Sequence, residues 1–410
     1  MPALRPELDA NAARSVAAEA FLPAGRGLWG VEAERIVYRT ADPAVRVPPA
    51  ELRLAAGPLP RSGRVTLEPG GQVEISTAPA ADLDEVLDAL QADIAELDRR
   101  LAHVGLRAAD CALDAERLPQ RVLTLPRYRA MEAFFDTAGP AGRWMMCNTA
   151  GLQVNLSHDP ADPSRRWQVM HAIAPVLLAV FANSPGVDCS GRSWASLRQG
   201  IWSALDPGRT QAPDPAVPAA RAWADYVLAA DVMMIRVADE AVDVGPGLPF
   251  ACWVRDGHPV GWPTADDLRY HMTTLFPPIR PRGWLEIRVI DALPPQVREI
   301  AVLIVAAAAQ PQAAAALLRL LPDTTSWWLP AARLGLAHGG LAAAADALFE
   351  IADQTLPLVT RRPSRIAAVR EYRNSHVRLR RQPWDGVMDT LPGHTRVPDL
   401  GDKRLLGVGC

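Results

Sequence analysis

Lysine is almost missing from this chain: Lys403 is the only one among 43 basic residues in a length of 410. A phosphate loop of the GxxxxGK[ST] kind needs a lysine after its glycine, so that device is excluded, and a lysine Schiff base meets the same difficulty. Any phosphate handled here must be met by arginine forks, backbone amides or metal ions. Cysteine is scarce as well. Cys111, Cys147, Cys189, Cys252 and Cys410 are odd in number and far apart, which fits neither a disulfide framework nor a zinc-type spacing. They read as reduced thiols of a cytoplasmic protein. The eight histidines never fall in HxH or HExxH order, so a histidine-rich zinc centre has no support. The formal net charge is only -3 and no block of like charge occurs, leaving no electrostatic reason to expect nucleic acid or a membrane as partner. The longest apolar run, Ile300 to Ala309, is about half of what a membrane span needs. Residues 1–20 hold Arg5, Glu7, Asp9, Arg14 and Glu19 without an apolar core, against a secretory signal.

What is present is the composition of a globular protein, with 49% hydrophobic residues. The expected organisation is one catalytic domain over 1–410, with a core of about 20–355 and an irregular tail over 356–410, broken by Pro357, Pro363, Pro383, Pro392 and Pro398. Helical spacing marks Ala3 to Glu19, Ala81 to Val104, Arg166 to Ala182, Pro263 to Thr274, Pro295 to Leu321 with a break at Pro311, and Leu341 to Gln354. Proline-rich stretches at Ala41 to Pro60 and Asp206 to Pro218 read as loops, and Pro207 to Pro218 is open to two readings, a lid or a passive loop. Strand patterns cover Gly30 to Tyr38, Arg64 to Ser76, Met145 to Ser157, Asp231 to Val237 and Trp284 to Asp291. Their irregular intervals favour an antiparallel or mixed sheet over a regular βαβ array, hence an α+β fold with helices on one side.

Residues two apart on a strand share a face. Glu32 and Glu34 therefore face one way and Val31, Ala33 and Val37 the other. The same division puts Gln72, Glu74 and Ser76 against Val73 and Ile75, Gln153, Asn155 and Ser157 against Leu152, Val154 and Leu156, and Glu286 and Arg288 against Leu285, Ile287 and Val289. A plain solvent face would mix lysine, threonine and glutamate. These positions hold acids and amides with a single arginine, and like charges opposed on one face repel. A hard cation resolves that repulsion, because Mg²⁺ takes carboxylate oxygens and keeps its remaining positions for water or phosphate. Gly25-Arg-Gly-Leu-Trp-Gly30 spells GxGxxG, but it precedes a strand where a dinucleotide site needs a helix.

The segments that carry these residues resemble the glutamate-cysteine ligase family of the plant and bacterial type, especially its actinobacterial members that open ergothioneine synthesis. The similarity lies in Gly30-Val-Glu-Ala-Glu34, Glu68-Pro-Gly-Gly-Gln-Val-Glu-Ile-Ser76, Pro126-Arg-Tyr-Arg-Ala-Met131, Met145-Met146 leading into Gln153-Val-Asn-Leu156, and Phe181-Ala-Asn-Ser-Pro185. It continues through Arg198, Trp202, Asp206 and Arg209 to His271-Met-Thr-Thr-Leu-Phe-Pro277 and Leu285-Glu-Ile-Arg288. The resemblance implies a curved antiparallel sheet with helices on its outer face, like the catalytic domain of glutamine synthetase. It also implies a reaction in which ATP phosphorylates the γ-carboxylate of L-glutamate and the amine of L-cysteine displaces phosphate. By position it makes Glu32 and Glu74, with Glu68, ligands of one Mg²⁺, and Glu34, Gln153 and Glu286 ligands of another, two or three ions in all with Mn²⁺ as a substitute. Arg198 would clamp the α-carboxylate of glutamate and Arg288 would steady the transferred phosphoryl group. Trp202, Tyr128, Asn155 and Arg209 would line the substrates and Arg333, beside Trp327 and Ala332, would touch nucleotide. Arg127 and His271 also match family positions. The spacing of Arg198, Trp202 and Asp206 suggests one helical face. The expected state is a monomer or weak homodimer. Two other readings stay open: a ligase with a different amine acceptor, and a metal-dependent phosphohydrolase, though such sites usually mix aspartate and histidine. A silent nucleotide-binding protein is a third.

Overall fold

The computed structural model describes residues 8–159, 162–188, 190–238 and 240–385. Cys189, Pro392, His394, Pro398, Lys403, Cys410 and the beginning of the helix expected from Ala3 lie outside them. In chain order the strands are β1 (Trp29–Arg39), β2 (Arg64–Leu67), β3 (Val73–Ser76), β4 (Leu106–Ala109), β5 (Gly151–Ser157), β6 (Gly186–Val187), β7 (Ser193–Trp194), β8 (Met234–Val237), β9 (Glu240–Asp243), β10 (Ile279–Pro281) and β11 (Trp284–Asp291). Seven of them form one sheet in the order β10-β11-β5-β1-β3-β2, with β4 paired to the far half of β1, and every strand pairing is antiparallel. β6 with β7 and β8 with β9 make two small hairpins.

The period-2 alternation read from the sequence is what orients this sheet. Val31, Ala33, Val73, Ile75, Leu152, Val154, Leu156, Leu285, Ile287 and Val289 are each no more than 2% exposed. Helices Pro163–Val180 and Pro295–Ala308 pack on β11 and β5, and Leu83–His103 packs on β1 and β3. Burying that apolar face is the largest favourable contribution to the fold, at about 25 cal/mol per Å² removed from water. The run Ile300 to Ala309 is part of this interior, and no single helix among the described residues is long and apolar enough to cross a membrane.

Several local expectations change. The strand pattern at Met145 begins as a helix, Ala141–Asn148, and extends only from Gly151, because Met145 and Met146 pack inward before the chain turns. The stretch Arg64 to Ser76 is a hairpin, split by the Pro69-Gly70-Gly71 turn, with Gly71 at φ 88° where a side chain would be strained. The proline-rich loops contain short helices at Pro49–Ala55 and Pro207–Thr210. The region after 356 is not wholly irregular: the Gly339–Val359 helix runs into it and Pro363–Tyr372 forms another. Proline at the first turn is compatible with a helix, and Arg365 anchors the segment, donating to Asp88 at 2.9 Å and Glu299 at 2.7 Å.

Candidate active site

The polar face of the sheet is assembled by register. Glu34 stands opposite Glu74 and Glu32 opposite Ser76 on β3, Glu32 faces Gln153 on β5, and Glu286 faces Asn155. These pairings bring Glu32, Glu34, Glu68, Glu74, Gln153, Glu286, Arg288, Tyr128 and Trp202 to the wall of one cavity of about 580 Å³. A bulge in β11 between Ile287 and Ile290 shifts the register beside Arg288. Its guanidinium donates to Gln153 Oε1 at 2.7 Å and Glu286 Oε1 at 3.0 Å.

Four of the glutamates have hydrogen-bonded carboxylates. Asn155 donates to Glu32 at 2.8 Å, the Gly151 N–H and Gln153 donate to Glu34 at 2.7 and 3.0 Å, and Thr66 and Ser76 donate to Glu74 at 2.9 and 3.2 Å. Glu286 is gripped by Arg280 and Arg288. Burial disfavours its charged form, but the two guanidiniums outweigh burial and hold it down at about 2. The others shift the opposite way. Burial, then Glu286 and Glu74, push Glu32 up to about 7, and burial with Glu34 and Glu74 pushes Glu68 up to about 8. Glu74 is raised by burial and Glu34; Glu34 is raised by burial although Arg198 and Arg288 oppose it. Charged together, these groups repel, which is the condition a hard divalent cation relieves.

The donor set fits such an ion in kind, being all carboxylate and amide oxygen. It is not a finished metal centre: among the described residues no three His, Cys, Asp or Glu side chains converge to hold an ion. Repulsion and the hydrogen bonds above keep the carboxylates apart, so ligand phosphate or water would have to complete the shell. Two donors at the wall support an acceptor-rich ligand. Arg288 Nε and Trp202 Nε1 are buried without hydrogen-bond partners, and both residues also border a second cavity of about 810 Å³.

Other expected residues fall elsewhere. Arg209 does not reach the cavity. It is fully buried, with Nε on Asp206 at 2.8 Å, Nη2 on Asp231 O at 2.7 Å and Nη1 on Thr274 O at 3.1 Å, so its donors are consumed by the fold. Asp206 caps the Pro207–Thr210 helix and is not on the Leu197–Ser203 helix that carries Arg198 and Trp202, so the three do not share one helical face. Arg198 lies behind the wall, 3% exposed, 3.5 Å from Asp291 Oδ1 and 3.3 Å from Arg288 O, with Nε unpartnered. Gly151 permits this, since a Cβ there would sit 2.4 Å from Arg198 Nη2. Asn155 acts on the cavity through Glu32. Arg333 lines neither cavity and stacks over Trp194, 5.9 Å from the ring centroid. His271 is buried against Val227 O, and burial pushes its imidazole down to about 3, leaving it neutral.

The expectation of a single arginine on this face is incorrect. Arg64, Arg127, Arg280 and Arg282 line the cavity with Arg288. Arg64 lies in register with Ser76, so the alternation rule applied to β2 would have found it; Arg280 lies in register with Glu286, but no such signal reaches it. β10 is only three residues long and begins right after a proline pair, too short for a pattern.

Known proteins resemble this chain over most of its length. The model of glutamate-cysteine ligase family 2 (GCS2) matches residues 28–386. The glutamate-cysteine ligase EgtA of Mycobacterium tuberculosis is 36% identical over 370 residues, covering 85% of this chain and 84% of that protein. EgtA of Mycolicibacterium smegmatis is 36% identical over 398 residues, covering 93% and 91%. A crystal structure of glutamate-cysteine ligase from Francisella tularensis in complex with AMP shares the fold, with a TM-score of 0.55 at 13% identity over 92% of this chain and 88% of that one.

Proposed function

Given that this chain belongs to the glutamate-cysteine ligase family, we propose that it joins L-glutamate to L-cysteine at the expense of ATP, forming γ-glutamylcysteine, ADP and phosphate as the first step of ergothioneine synthesis. The observation that carries the reading is one cavity in which five glutamates face five arginines. A carboxylate is a poor acyl donor until it is phosphorylated, and phosphoryl transfer from ATP depends on positioning and on neutralising charge. Mg²⁺, when bound, supplies part of that neutralisation. Glu32, Glu68 and Glu74 are the residues to hold one ion and Glu34, Gln153 and Glu286 another, with Mn²⁺ able to replace Mg²⁺.

Arg288 is assigned to the moving phosphoryl group, because its unpartnered Nε and its place at the junction of the two cavities suit a fork on a developing anion. Glu286 keeps that guanidinium oriented and charged. Tyr128 and Trp202 are assigned to the amino-acid substrates and Asn155 to them through Glu32; Arg198, which lines neither cavity, is assigned an indirect part, its charge acting on Glu34 and its Nη2 on the Arg288 carbonyl. Arg209 and Arg333 drop out of these roles. We read the enzyme as cytoplasmic and as a monomer or weak homodimer.

The test supplies ATP, Mg²⁺, glutamate and cysteine, omits each in turn, and identifies nucleotide and peptide products. ADP with γ-glutamylcysteine only in the complete mixture is expected. AMP with pyrophosphate, or ADP release indifferent to cysteine, would refute the assignment.

A further inference from the structure

Among the five cavity glutamates Glu68 differs in how it is held. The other four have hydrogen bonds to their carboxylates, whereas that of Glu68 has none among the described residues. What the structure fixes of Glu68 is therefore the backbone that carries it, the Glu68-Pro69-Gly70-Gly71 turn. That turn is unusually well tied down. The Glu68 N–H donates to Gln72 O at 2.8 Å, Gly71 N–H to Glu68 O at 2.9 Å, and Val122 N–H to Pro69 O at 2.7 Å. Arg46 Nη1 donates to Gly70 O at 3.1 Å.

The side chain of Gln72 closes this arrangement. Only 3% exposed, it accepts from the Gly70 N–H at 3.0 Å through Oε1 and donates through Nε2 to Thr149 O at 2.8 Å and Met146 O at 3.3 Å. One amide thus links the turn to the carbonyls at the end of the Ala141–Asn148 helix, two residues before the strand that delivers Gln153. Gly70 lets the two backbones meet, because a Cβ there would lie 2.1 Å from Cys147 O. Buried amides with every partner satisfied rigidify what they join.

We propose that Gln72 is a positioning residue for cation binding: it touches no ion itself, but fixes the Glu68 carboxylate, through the turn, relative to the ligands on β1, β3 and β5. The proposal rests on the reading of Glu68 as a metal ligand. Residues outside the ligand shell that orient ligands typically change metal affinity by about 10- to 100-fold.

The experiment measures free Mn²⁺ by electron paramagnetic resonance while Mn²⁺ alone is titrated into the full chain as wild type, Glu68→Gln, Gln72→Leu and the double variant. Glu68→Gln and Gln72→Leu each weaken Mn²⁺ binding by about tenfold or more, and the double variant binds no worse than Glu68→Gln alone, because Gln72 acts only through Glu68. Wild-type Mn²⁺ affinity in Gln72→Leu, beside weakened binding in Glu68→Gln, overturns the positioning role. Additive losses in the double variant overturn it too. Unchanged binding in Glu68→Gln instead removes Glu68 from the ligand set and with it the reading beneath. If Gln72→Leu does not fold, Gln72→Asn, whose amide is one methylene too short to bridge Gly70 and Thr149, carries the same expectation; unchanged Mn²⁺ affinity there overturns the proposal.

Discussion

Mg²⁺ binding should release protons, and the number can be worked out from the cavity. Glu32 titrates at about 7 and Glu68 at about 8, raised by burial and by neighbouring carboxylates. At pH 7 Glu32 then carries about half a proton and Glu68 about nine-tenths of one, and both must leave if the two side chains bind the ion as carboxylates. Glu32 and Glu68 together should release more than one proton at pH 7 and about a tenth of a proton at pH 9, where both are already ionised, and Glu34 and Glu74, also raised by burial, add to the release. The assay is isothermal titration of Mg²⁺ at both pH values, at each in two buffers that do not bind Mg²⁺ and whose ionisation enthalpies differ widely. Heats that differ between buffers at pH 7 and converge at pH 9 support the reasoning; heats independent of buffer at pH 7 would refute it. The same shifts set the stability of the metal-free protein. With folded-state values above the ordinary glutamate range, the native state binds more protons than the unfolded one between about pH 4 and 8. Stability contributed by these groups is thus present at low pH and lost as pH rises through 7 to 8, and Mg²⁺ should restore it.

Glu74→Gln should lower kcat/KM by more than about 100-fold while raising the Tm of the metal-free protein, because it removes a ligand charge that burial and Glu34 already disfavour; a fall in Tm with activity retained would place Glu74 outside the site. Gly151→Ala should cost about 1–3 kcal/mol in denaturant unfolding and reduce activity, since the new Cβ meets Arg198 Nη2 at 2.4 Å and Ile290 O at 3.2 Å. Arg209→Met should destabilise by about 3 kcal/mol, the scale for breaking a buried ion pair, yet leave the KM for glutamate of the folded enzyme unchanged. A raised KM with unaltered stability would return Arg209 to the substrate pocket.

Local alternation along each strand was legible without coordinates, because the side-chain period of two depends on nothing beyond the strand itself. It put Glu32 with Glu34, Gln72 with Glu74 and Glu286 with Arg288 on the polar side, and the family motifs supplied the chemistry. Less was legible where short elements break a pattern: β10 is too brief to reveal Arg280, and the helix at Ala141–Asn148 overlaps what read as strand.

By itself, then, the sequence determined that a glutamate-rich sheet face must exist, that no lysine loop serves it and which family it belongs to. Which strands adjoin was a tertiary matter, because register is set by burial of the apolar face among segments far apart in sequence, such as those of Glu286 and Glu32, joined through β5. So was the fate of the arginines. A guanidinium looks alike in sequence wherever it stands, but the partners around it decide its role. Arg209 spends its donors on Asp206, Thr274 and Asp231 and becomes part of the core, while Arg288, beside a bulge, keeps one donor free at the cavity wall.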